Sequence, residues 1–335
     1  MFKFYKLIFF LSMMFGSLIT ISSYSWLSMW MGLEINLLSI IPLLSDIKNI
    51  YPSESALKYF ITQALASGLL LFSMVLSLNF NEFFFSSTSI SFIFNSALLT
   101  KIGAAPFHAW FPEVLEGLNW TNSLIMLTWQ KIAPMMILFL NCKLTGFFLT
   151  VILTSTIVSG ILGLNQISLR KIMAYSSINH ISWMLSSMLN AQNIWMFYFL
   201  IYSIISMNII LILHQSQIYF LNQLFNSFNF NKPFKFFFIL NFLSLGGLPP
   251  FLGFLPKWLV INNLIQNNFY LLSFLLITFT LITLFFYLRI TFSTMMINSS
   301  ESLIFMNKKI SFTVIFINFI SIAGLLVCTL ILNYS

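Results

Sequence analysis

The sequence is a succession of apolar stretches, each about 20 residues long and separated from the next by a short connection. A helix of about 20 apolar residues crosses the hydrocarbon core of a bilayer. Only 7% of the 335 residues are charged, whereas soluble domains carry roughly 25% charged residues. This deficit excludes a water-soluble enzyme and a disordered chain. The stretch lengths favour helices over a barrel, whose strands need only about 10 alternating residues.

We therefore predict an all-α polytopic membrane protein with about eleven transmembrane helices. No connection is long enough for a separate extramembrane domain, so residues 1–335 form a single transmembrane domain. The first stretch begins directly after the N-terminus and reads as a span, since it has neither a cleavage site nor a transit-peptide composition. The predicted spans are 4–22, 24–44, 55–78, 84–110, 121–140, 145–164, 173–189, 193–217, 235–264, 269–290 and 311–332.

The basic residues indicate the orientation of these spans. If the connections are assigned alternately to two sides, the N-terminal side carries most of the Lys and Arg, whereas the other side holds Lys143 alone. Lys and Arg are enriched on the cytoplasmic or matrix side, which is therefore where the N-terminus is predicted. No cluster exceeds two residues, so the net charge of +8 does not indicate nucleic-acid binding. The basic residues of the N-terminal side are Lys3, Lys6, Lys48, Arg170, Lys171, Lys232, Lys235, Arg289, Lys308 and Lys309.

Motifs for covalent or redox chemistry are missing from the sequence. Cys142 and Cys328 lie far apart, without the spacing of an iron–sulfur or zinc site. A disulfide between them is left open. There is no P-loop, dinucleotide fingerprint, nucleophile elbow or H-E-x-x-H motif. We predict no metal site and no active site for covalent chemistry on this chain.

A repeated motif links the fourth and ninth spans. Residues 103–112 and 247–256 both read G-x-x-P-F-x-x-aromatic-x-P. Proline inside a helix removes a hydrogen bond and clashes with the preceding turn, so each span is predicted to break into two half-helices. Because the copies lie an odd number of spans apart, they run in opposite directions. We predict two inverted five-helix repeats, about 1–142 and 143–292, followed by the span 311–332, with a transport site at the broken helices.

Five ionisable side chains fall within the predicted spans: Glu34, Lys58, Lys101, Lys131 and Lys257. An ionised group at mid-bilayer costs about 2.5–3.5 kcal/mol, so these groups are expected to face the interior of the bundle. One carboxylate cannot balance four lysines, and burial among like charges favours the neutral form of a lysine. We predict that these residues form a proton relay. The alternatives are that a buried lysine only binds carbonyls at a helix break, and that Lys58 snorkels to the surface.

The helix dipoles predict a difference between the two lysines at the breaks. Lys101 lies just before its break, where the C-terminal end of a half-helix favours a cation. Lys257 follows its break, at a helix end that is expected to disfavour a cation.

Three histidines and two carboxylates lie near these elements. His108 and His180 either extend the relay or are hydrogen-bonded in a polar interior. His214 lies near a helix end, and we assign it no role. The three histidines have no spacing for a bis-histidine haem. Glu113 and Glu116 follow the first break, where a solvated helix start is their default interpretation.

Six ordered segments give the sequence a family resemblance. The sequence resembles the mitochondrially encoded antiporter-like subunits in the membrane arm of NADH:ubiquinone oxidoreductase, respiratory complex I, in the form found in insects and related animals. The match extends over essentially the whole chain. The segments are WMGLEIN at 30–36, KYFITQA at 58–64, KIGAAPFH at 101–108, WQKIAP at 129–134, NQISLRKIMAYSS at 165–177 and GGLPPF at 246–251.

The resemblance implies a site and a mechanism. A carboxylate matching Glu34 pairs with the lysine matching Lys101, and Lys131 links this half to the exit-side lysine, Lys257. Lys58 belongs to the same hydrophilic axis. Protons cross the mitochondrial inner membrane, driven by quinone reduction elsewhere in the complex. The eleven spans fit the animal form, which lacks the first three of the usual fourteen.

The resemblance also implies partners and a location. This chain carries no cofactor, because NAD, FMN, iron–sulfur clusters and ubiquinone bind other subunits. Its partners are other membrane-arm subunits, including antiporter-like and accessory subunits, and phospholipids such as cardiolipin. Its N-terminus lies in the matrix and its C-terminus in the intermembrane space. A stand-alone cation/proton antiporter and a non-pumping structural subunit remain the alternatives.

Overall fold

A computed structural model describes residues 4–46, 49–78, 87–142, 144–228, 232–249 and 251–295, together with 316, 318, 319 and 324. Regular secondary structure in this part of the chain is helical, apart from an isolated antiparallel bridge between Ser168 and Phe220. Seven segments among these described residues are long and apolar enough to cross a membrane. The predicted all-α polytopic fold is confirmed, whereas the count of eleven spans stays a prediction. The predicted last span, 311–332, falls almost entirely outside the described residues.

The chain divides into two compact units, Met1–Val151 and Ile152–Ser335. The division falls close to the predicted repeat boundary at 142/143, but the inverted relation of the repeats stays a prediction. The helices of the first unit are α1 (Phe4–Ser22), α2 (Trp26–Leu44), α3 (Ile50–Leu78), α4 (Ser87–Ile102), α5 (Trp110–Gly117), α6 (Trp120–Leu127) and α7 (Trp129–Leu140).

Helix α8 (Thr145–Leu164) begins in the first unit and ends in the second. The described helices that follow it are α9 (Leu169–Met188), α10 (Gln192–Ser216), α11 (Leu221–Phe228), α12 (Lys232–Gly246), α13 (Phe254–Gln266) and α14 (Tyr270–Met295).

The predicted spans need three corrections. The span 84–110 ends too early, because the half-helix α5 begins at Trp110 and continues to Gly117. The span 121–140 is two helices that meet at Thr128, whose N–H still bonds to Leu124 as the cap of α6. The short helix α11 was not predicted, because eight residues with several amides do not resemble a membrane span.

Glycine brings α1 and α2 into backbone contact. A Cβ atom added to Gly32 would lie 2.6 Å from Thr20 Cγ2 and 2.9 Å from the Gly16 carbonyl oxygen. Small residues permit such approaches between membrane helices, where van der Waals packing replaces the hydrophobic effect. This packing fixes the position of the part of α2 that carries Glu34 and Asn36.

Helix α9 is the centre of the second unit. Nearly all of its side chains are buried, including Asn179, His180 and the five serines from Ser176 to Ser187. It packs against α10, α13 and α14. Because α9 is surrounded by protein, it can carry polar side chains that a lipid-facing helix of the same length excludes.

Candidate functional site

Two helix breaks with the same backbone form, one in each unit, position the site. Gly103 follows α4 and Gly247 follows α12, with φ values of 80° and 78°. The next helix begins seven residues after the glycine in both cases, at Trp110 and Phe254. Only glycine adopts this left-handed conformation without steric cost. Both predicted breaks are confirmed.

Each break ends its first half-helix in the same way. The N–H group after the glycine donates to the carbonyl five residues earlier, from Ala104 to Leu99 at 3.1 Å and from Leu248 to Leu243 at 3.3 Å. This bond is part of a Schellman motif, which satisfies carbonyls at a helix C-terminus. Other carbonyls at this end of α12 remain available to side chains.

Lys101 lies in the last turn of α4 with 7% of its surface exposed. Its carbonyl accepts a hydrogen bond from Gln63 Nε2 at 3.3 Å. Among the described residues, the structure shows no hydrogen-bond partner for its ammonium group. The C-terminal end of α4 favours a cation here.

Glu34 lies on α2 and acts electrostatically on Lys101 and Tyr59. Its Oε1 atom is buried and has no hydrogen-bond partner among the described residues. The ion pairs within 4 Å in the described part of the chain do not include Glu34 with Lys101. The two groups therefore influence each other without direct contact.

Lys131, on α7, is 1% exposed. Its ammonium nitrogen lies 5.3 Å from the centre of the Phe111 ring, within the range of a cation–π interaction. The ring packs beside the first break, where a Cβ atom on Gly103 would lie 3.2 Å from Phe111 Cβ. The first break thus places both Lys101 and the aromatic face that contacts Lys131.

A network of neutral side chains lies beside these groups. Gln130 Nε2 donates to Asn36 Oδ1 at 2.9 Å, and Asn36 Nδ2 donates to Gln130 Oε1 at 3.2 Å. The Tyr59 hydroxyl also donates to Gln130 Oε1, at 3.3 Å. Sequence analysis did not assign these residues. Two of them could have been found from the sequence, because each is a carboxamide within an apolar span and close to an ionisable residue. Gln130 directly precedes Lys131, and Asn36 lies two residues after Glu34.

Lys58 lies on α3 with its side chain about half exposed. Its ammonium nitrogen is 3.2 Å from Glu54 Oε1 and 3.1 Å from Glu113 Oε2. Glu113 lies in the first turn of α5, as expected. The prediction that it is only solvated there did not include its ion pair with Lys58. The three groups form a charged cluster at the surface of the first unit.

Lys257, on α13, is 7% exposed. Its ammonium donates to the carbonyls of Gly246 at 2.8 Å and Leu245 at 3.2 Å, and lies 5.9 Å from the centre of the Trp183 ring. The expectation that Lys257 occupies an unfavourable dipole end is wrong. Its side chain reaches back across the break to the C-terminal end of α12, where carbonyls and dipole both favour a cation.

The histidines occupy different environments. His180 is buried on α9, and its Nδ1 atom lies 2.9 Å from the Tyr198 hydroxyl. Its ring centre is 5.0 Å from that of Tyr202. His108 is half-buried within the first break, and His214 is exposed in the last turn of α10.

Comparisons with known proteins place the chain in a family. Residues 23–283 match the family described as NADH:quinone oxidoreductase/Mrp antiporter, transmembrane. The chain is 50% identical over 333 residues to NADH-ubiquinone oxidoreductase chain 2 of Anopheles gambiae, covering 97% of each chain. It is 45% identical to the chain 2 of Locusta migratoria, covering 97% of this chain and 96% of that one. This chain belongs to the NADH-ubiquinone oxidoreductase chain 2 family.

Solved structures share the fold of this chain 2 family member. A chain of respiratory complex I from Thermus thermophilus superposes with a TM-score of 0.86 at 23% identity, covering 99% of this chain and 80% of that chain. A chain of the Mrp complex from Dietzia has a TM-score of 0.77 at 16% identity, covering 84% of this chain and 59% of that one. The antiporter-like architecture is thus established.

Within this family member, the structure brings the sequence-predicted residues into separate groups. The first unit holds Glu34 near Lys101 and places Lys131 beside the same break, whereas Lys58 lies in its surface cluster. Lys257 and His180 lie in the second unit. Within the described part of the chain, no group of three or more His, Cys, Asp and Glu side chains is arranged to hold a metal ion.

Proposed function

We propose that this chain translocates protons through a relay that includes Glu34, Lys101, Lys131 and Lys257. The observation that carries the proposal is the pair of helix breaks, each built in the same way and each with a buried lysine: Lys101 is in the last turn of its first half-helix, and the Lys257 ammonium binds the carbonyls that end its own. A buried lysine at mid-membrane is costly to retain unless it has a function. His108 and His180 are proposed extensions of the relay.

As a member of the chain 2 family, the protein is a multi-pass membrane subunit of NADH:ubiquinone oxidoreductase. We propose the mitochondrial inner membrane as its location, with the N-terminus in the matrix and the C-terminus in the intermembrane space. Its proposed partners are neighbouring antiporter-like and accessory subunits of the membrane arm, and phospholipids such as cardiolipin. NAD, FMN, iron–sulfur clusters and ubiquinone are assigned to other subunits.

In this mechanism, quinone reduction elsewhere in the complex changes the charge near Glu34. Glu34 acts on Lys101 without a direct ion pair, so a change in their separation alters how strongly the ammonium form is favoured. Lys101 then exchanges its proton with the next members of the relay, Lys131 and Lys257. Lys58 is proposed to lie at the solvent-facing end of the relay.

The free energy needed to move one proton against the membrane potential is comparable to that of a single hydrogen bond to a charged group. Moving one charge against 100 mV costs about 2.3 kcal/mol. One hydrogen bond to a charged group contributes about 1.5–3 kcal/mol. Lys257 makes two such bonds, to the carbonyls of Leu245 and Gly246. Making or breaking one of them is therefore comparable in free energy to moving one charge against that potential.

Two other functions make different predictions. A stand-alone cation/proton antiporter fits the fold and the description of the matched family, but it should exchange ions when this chain alone is purified into vesicles. A structural membrane-arm subunit should tolerate loss of the relay lysines without any change in turnover.

The test is coupled NADH:ubiquinone turnover in assembled complexes that carry Lys101→Ala or Lys257→Ala. The matched control is Lys235→Ala, which removes a partly exposed lysine in the first turn of α12. We expect both relay variants to assemble normally and to lose at least tenfold in coupled turnover, while the control stays within about twofold of the unsubstituted complex. Full turnover in both assembled relay variants would contradict the proposal.

A further inference from the structure

A buried hydrogen bond joins His180 to a tyrosine of the neighbouring helix. The Nδ1 atom of His180 lies 2.9 Å from the Tyr198 hydroxyl, and the two side chains are 5% and 1% exposed. The histidine is on α9 and the tyrosine on α10, and these two helices pack against each other within the second unit. Polar groups buried this deeply are costly unless they are hydrogen-bonded, so the bond fixes the position of both side chains.

The surroundings of His180 connect it with the second break. Tyr202, one turn after Tyr198, places its ring centre 5.0 Å from that of His180. Trp183 lies one turn after His180 on α9, so the two side chains share a face of that helix. The centre of the Trp183 ring is 5.9 Å from the Lys257 ammonium. His180 is therefore one helical turn from a side chain that contacts a lysine of the proposed relay.

A hydroxyl group can pair with a histidine nitrogen in every protonation state of the ring. The Nδ1 atom is an acceptor in one neutral tautomer, and an N–H donor in the other tautomer and in the imidazolium. A backbone carbonyl only accepts, so it pairs with the donor forms alone. The Tyr198 hydroxyl can donate to Nδ1 in the first case and accept from it in the others. Because an unpaired N–H group is costly in a buried site, this partner lets His180 change its charge without losing its hydrogen bond.

We infer that Tyr198 is a positioning residue for proton transfer through His180. Uptake of one proton forms one N–H bond on the imidazole ring, and release of one proton breaks one. Tyr198 keeps a single proton throughout and reverses only the direction of its hydrogen bond, because a phenol, whose ordinary pKa is near 10, stays neutral at physiological pH. The inference rests on the relay proposed above, of which His180 is an extension, and adds the residue that holds this histidine.

The first test is coupled NADH:ubiquinone turnover in assembled complexes that carry Tyr198→Phe. The aromatic ring stays, but Nδ1 of the imidazolium loses its partner, and losing one hydrogen bond to a charged group corresponds to about a tenfold loss of turnover. Tyr202→Phe is the matched control, since it removes a hydroxyl from a buried tyrosine one turn away and keeps the ring that contacts His180. We expect the control to stay within about twofold of the unsubstituted complex. Equal turnover in the two variants would overturn the inference.

A double substitution separates positioning from a general structural role. His180→Gln removes the ring on which Tyr198 acts. If Tyr198 acts through His180, adding Tyr198→Phe to His180→Gln should lower turnover no further, because the two residues share one interaction. Losses that multiply in the double variant would show an independent structural role and overturn the inference. Full turnover in assembled His180→Gln would overturn it as well, since proton transfer would then not need His180.

A high-resolution map of the unsubstituted, assembled complex tests the contact itself, whether or not the variants assemble. We expect His180 Nδ1 and the Tyr198 oxygen to stay within about 3.2 Å of each other, at rest and during turnover. A separation beyond hydrogen-bond range in either state would overturn the inference.

Failure of this inference can be told apart from failure of the relay. If Lys101→Ala impairs turnover but Tyr198→Phe does not, only the role of Tyr198 is wrong. If Lys101→Ala retains full turnover, the relay itself is wrong, and the inference fails with it.

Discussion

At the scale of single residues, each break has a lysine beside the end of its first half-helix, but the two lysines come from different sequence positions. Lys101 precedes its glycine by two residues, whereas Lys257 follows its glycine by ten. The residue that follows Gly103 by ten is Glu113, which pairs with Lys58. Lys101 nevertheless lies in the last turn of its first half-helix, and the Lys257 ammonium reaches back to the carbonyls that end its own first half-helix. Sequence position alone could not show this, because a lysine side chain spans more than one helical turn.

The ion pair between Lys58 and Glu113 is expected to contribute little by itself. Both side chains are about half exposed, and exposed pairs typically contribute roughly 0.2–1 kcal/mol. Glu54 also remains within 3.2 Å of Lys58 when Glu113 is changed. We expect Glu113→Gln to keep coupled turnover within about twofold of the unsubstituted complex. A loss of tenfold or more in the assembled variant would instead place Glu113 in the relay.

Cys142 is expected to be unreactive. Its thiol donates to the Leu138 carbonyl at 3.2 Å, and burial raises its pKa to about 12. The thiolate, which is the reactive form, therefore accumulates only as the pH approaches 12. Alkylation at pH 7.5, followed by mass spectrometry, should be about a thousandfold slower than for a thiol with an ordinary pKa near 9. Rapid labelling in the folded complex, with detergent-denatured complex as the positive control, would contradict this prediction.

At the scale of elements, close helix contacts hold the ionisable groups in place. The approach of α1 to α2 at Gly16 and Gly32 fixes Glu34, and the left-handed glycines fix both breaks. Apolar length and the two proline motifs were enough to predict most helices and both breaks. The division of 121–140 at Thr128 was missed, since no proline or glycine marks it. The amide network was also missed, because a hydrogen bond between α2 and α7 joins residues 94 positions apart.

A methyl group at Gly32 should disturb the site from a distance. The added Cβ would lie 2.9 Å from a backbone oxygen of α1, which cannot move aside as a side chain can. Overpacking of this kind costs about 1–3 kcal/mol. We expect Gly32→Ala to lower the yield of assembled complex and its coupled turnover. The matched control is Gly68→Ala, where the added Cβ meets nothing within 4 Å, and equal behaviour of the two variants would contradict the account.

A methyl group at Gly247 should act directly on Lys257. The position has a φ of 78°, which costs a residue with a Cβ about 1–2 kcal/mol. The added Cβ would also lie 2.8 Å from Lys257 Cδ and displace the side chain from its carbonyls. We expect Gly247→Ala to reduce coupled turnover at least tenfold. Gly246→Ala is the control, since its nearest contact would be an ordinary 3.7 Å, and a harmless Gly247→Ala would argue against the carbonyl contacts of Lys257.

At the scale of the whole molecule, the chain combines an exposed apolar surface with an interior that contains polar side chains. Exposed apolar side chains cover α1, α3 and α14, whereas α9 is buried and rich in serine. Composition and charge distribution predicted the membrane class and an orientation. Specific site contacts could not be predicted in this way, because they depend on side chains that meet across helices distant in sequence.

The most direct measurement of the central claim is the number of protons translocated per NADH oxidised. It should be made on vesicles containing the assembled complex with Lys101→Ala, beside unsubstituted complex and Lys235→Ala. If Lys101 belongs to the relay, the Lys101→Ala complex should oxidise NADH slowly, and the turnover that remains should translocate fewer protons per NADH than either control. An assembled Lys101→Ala complex with the turnover and proton ratio of the controls would contradict the relay.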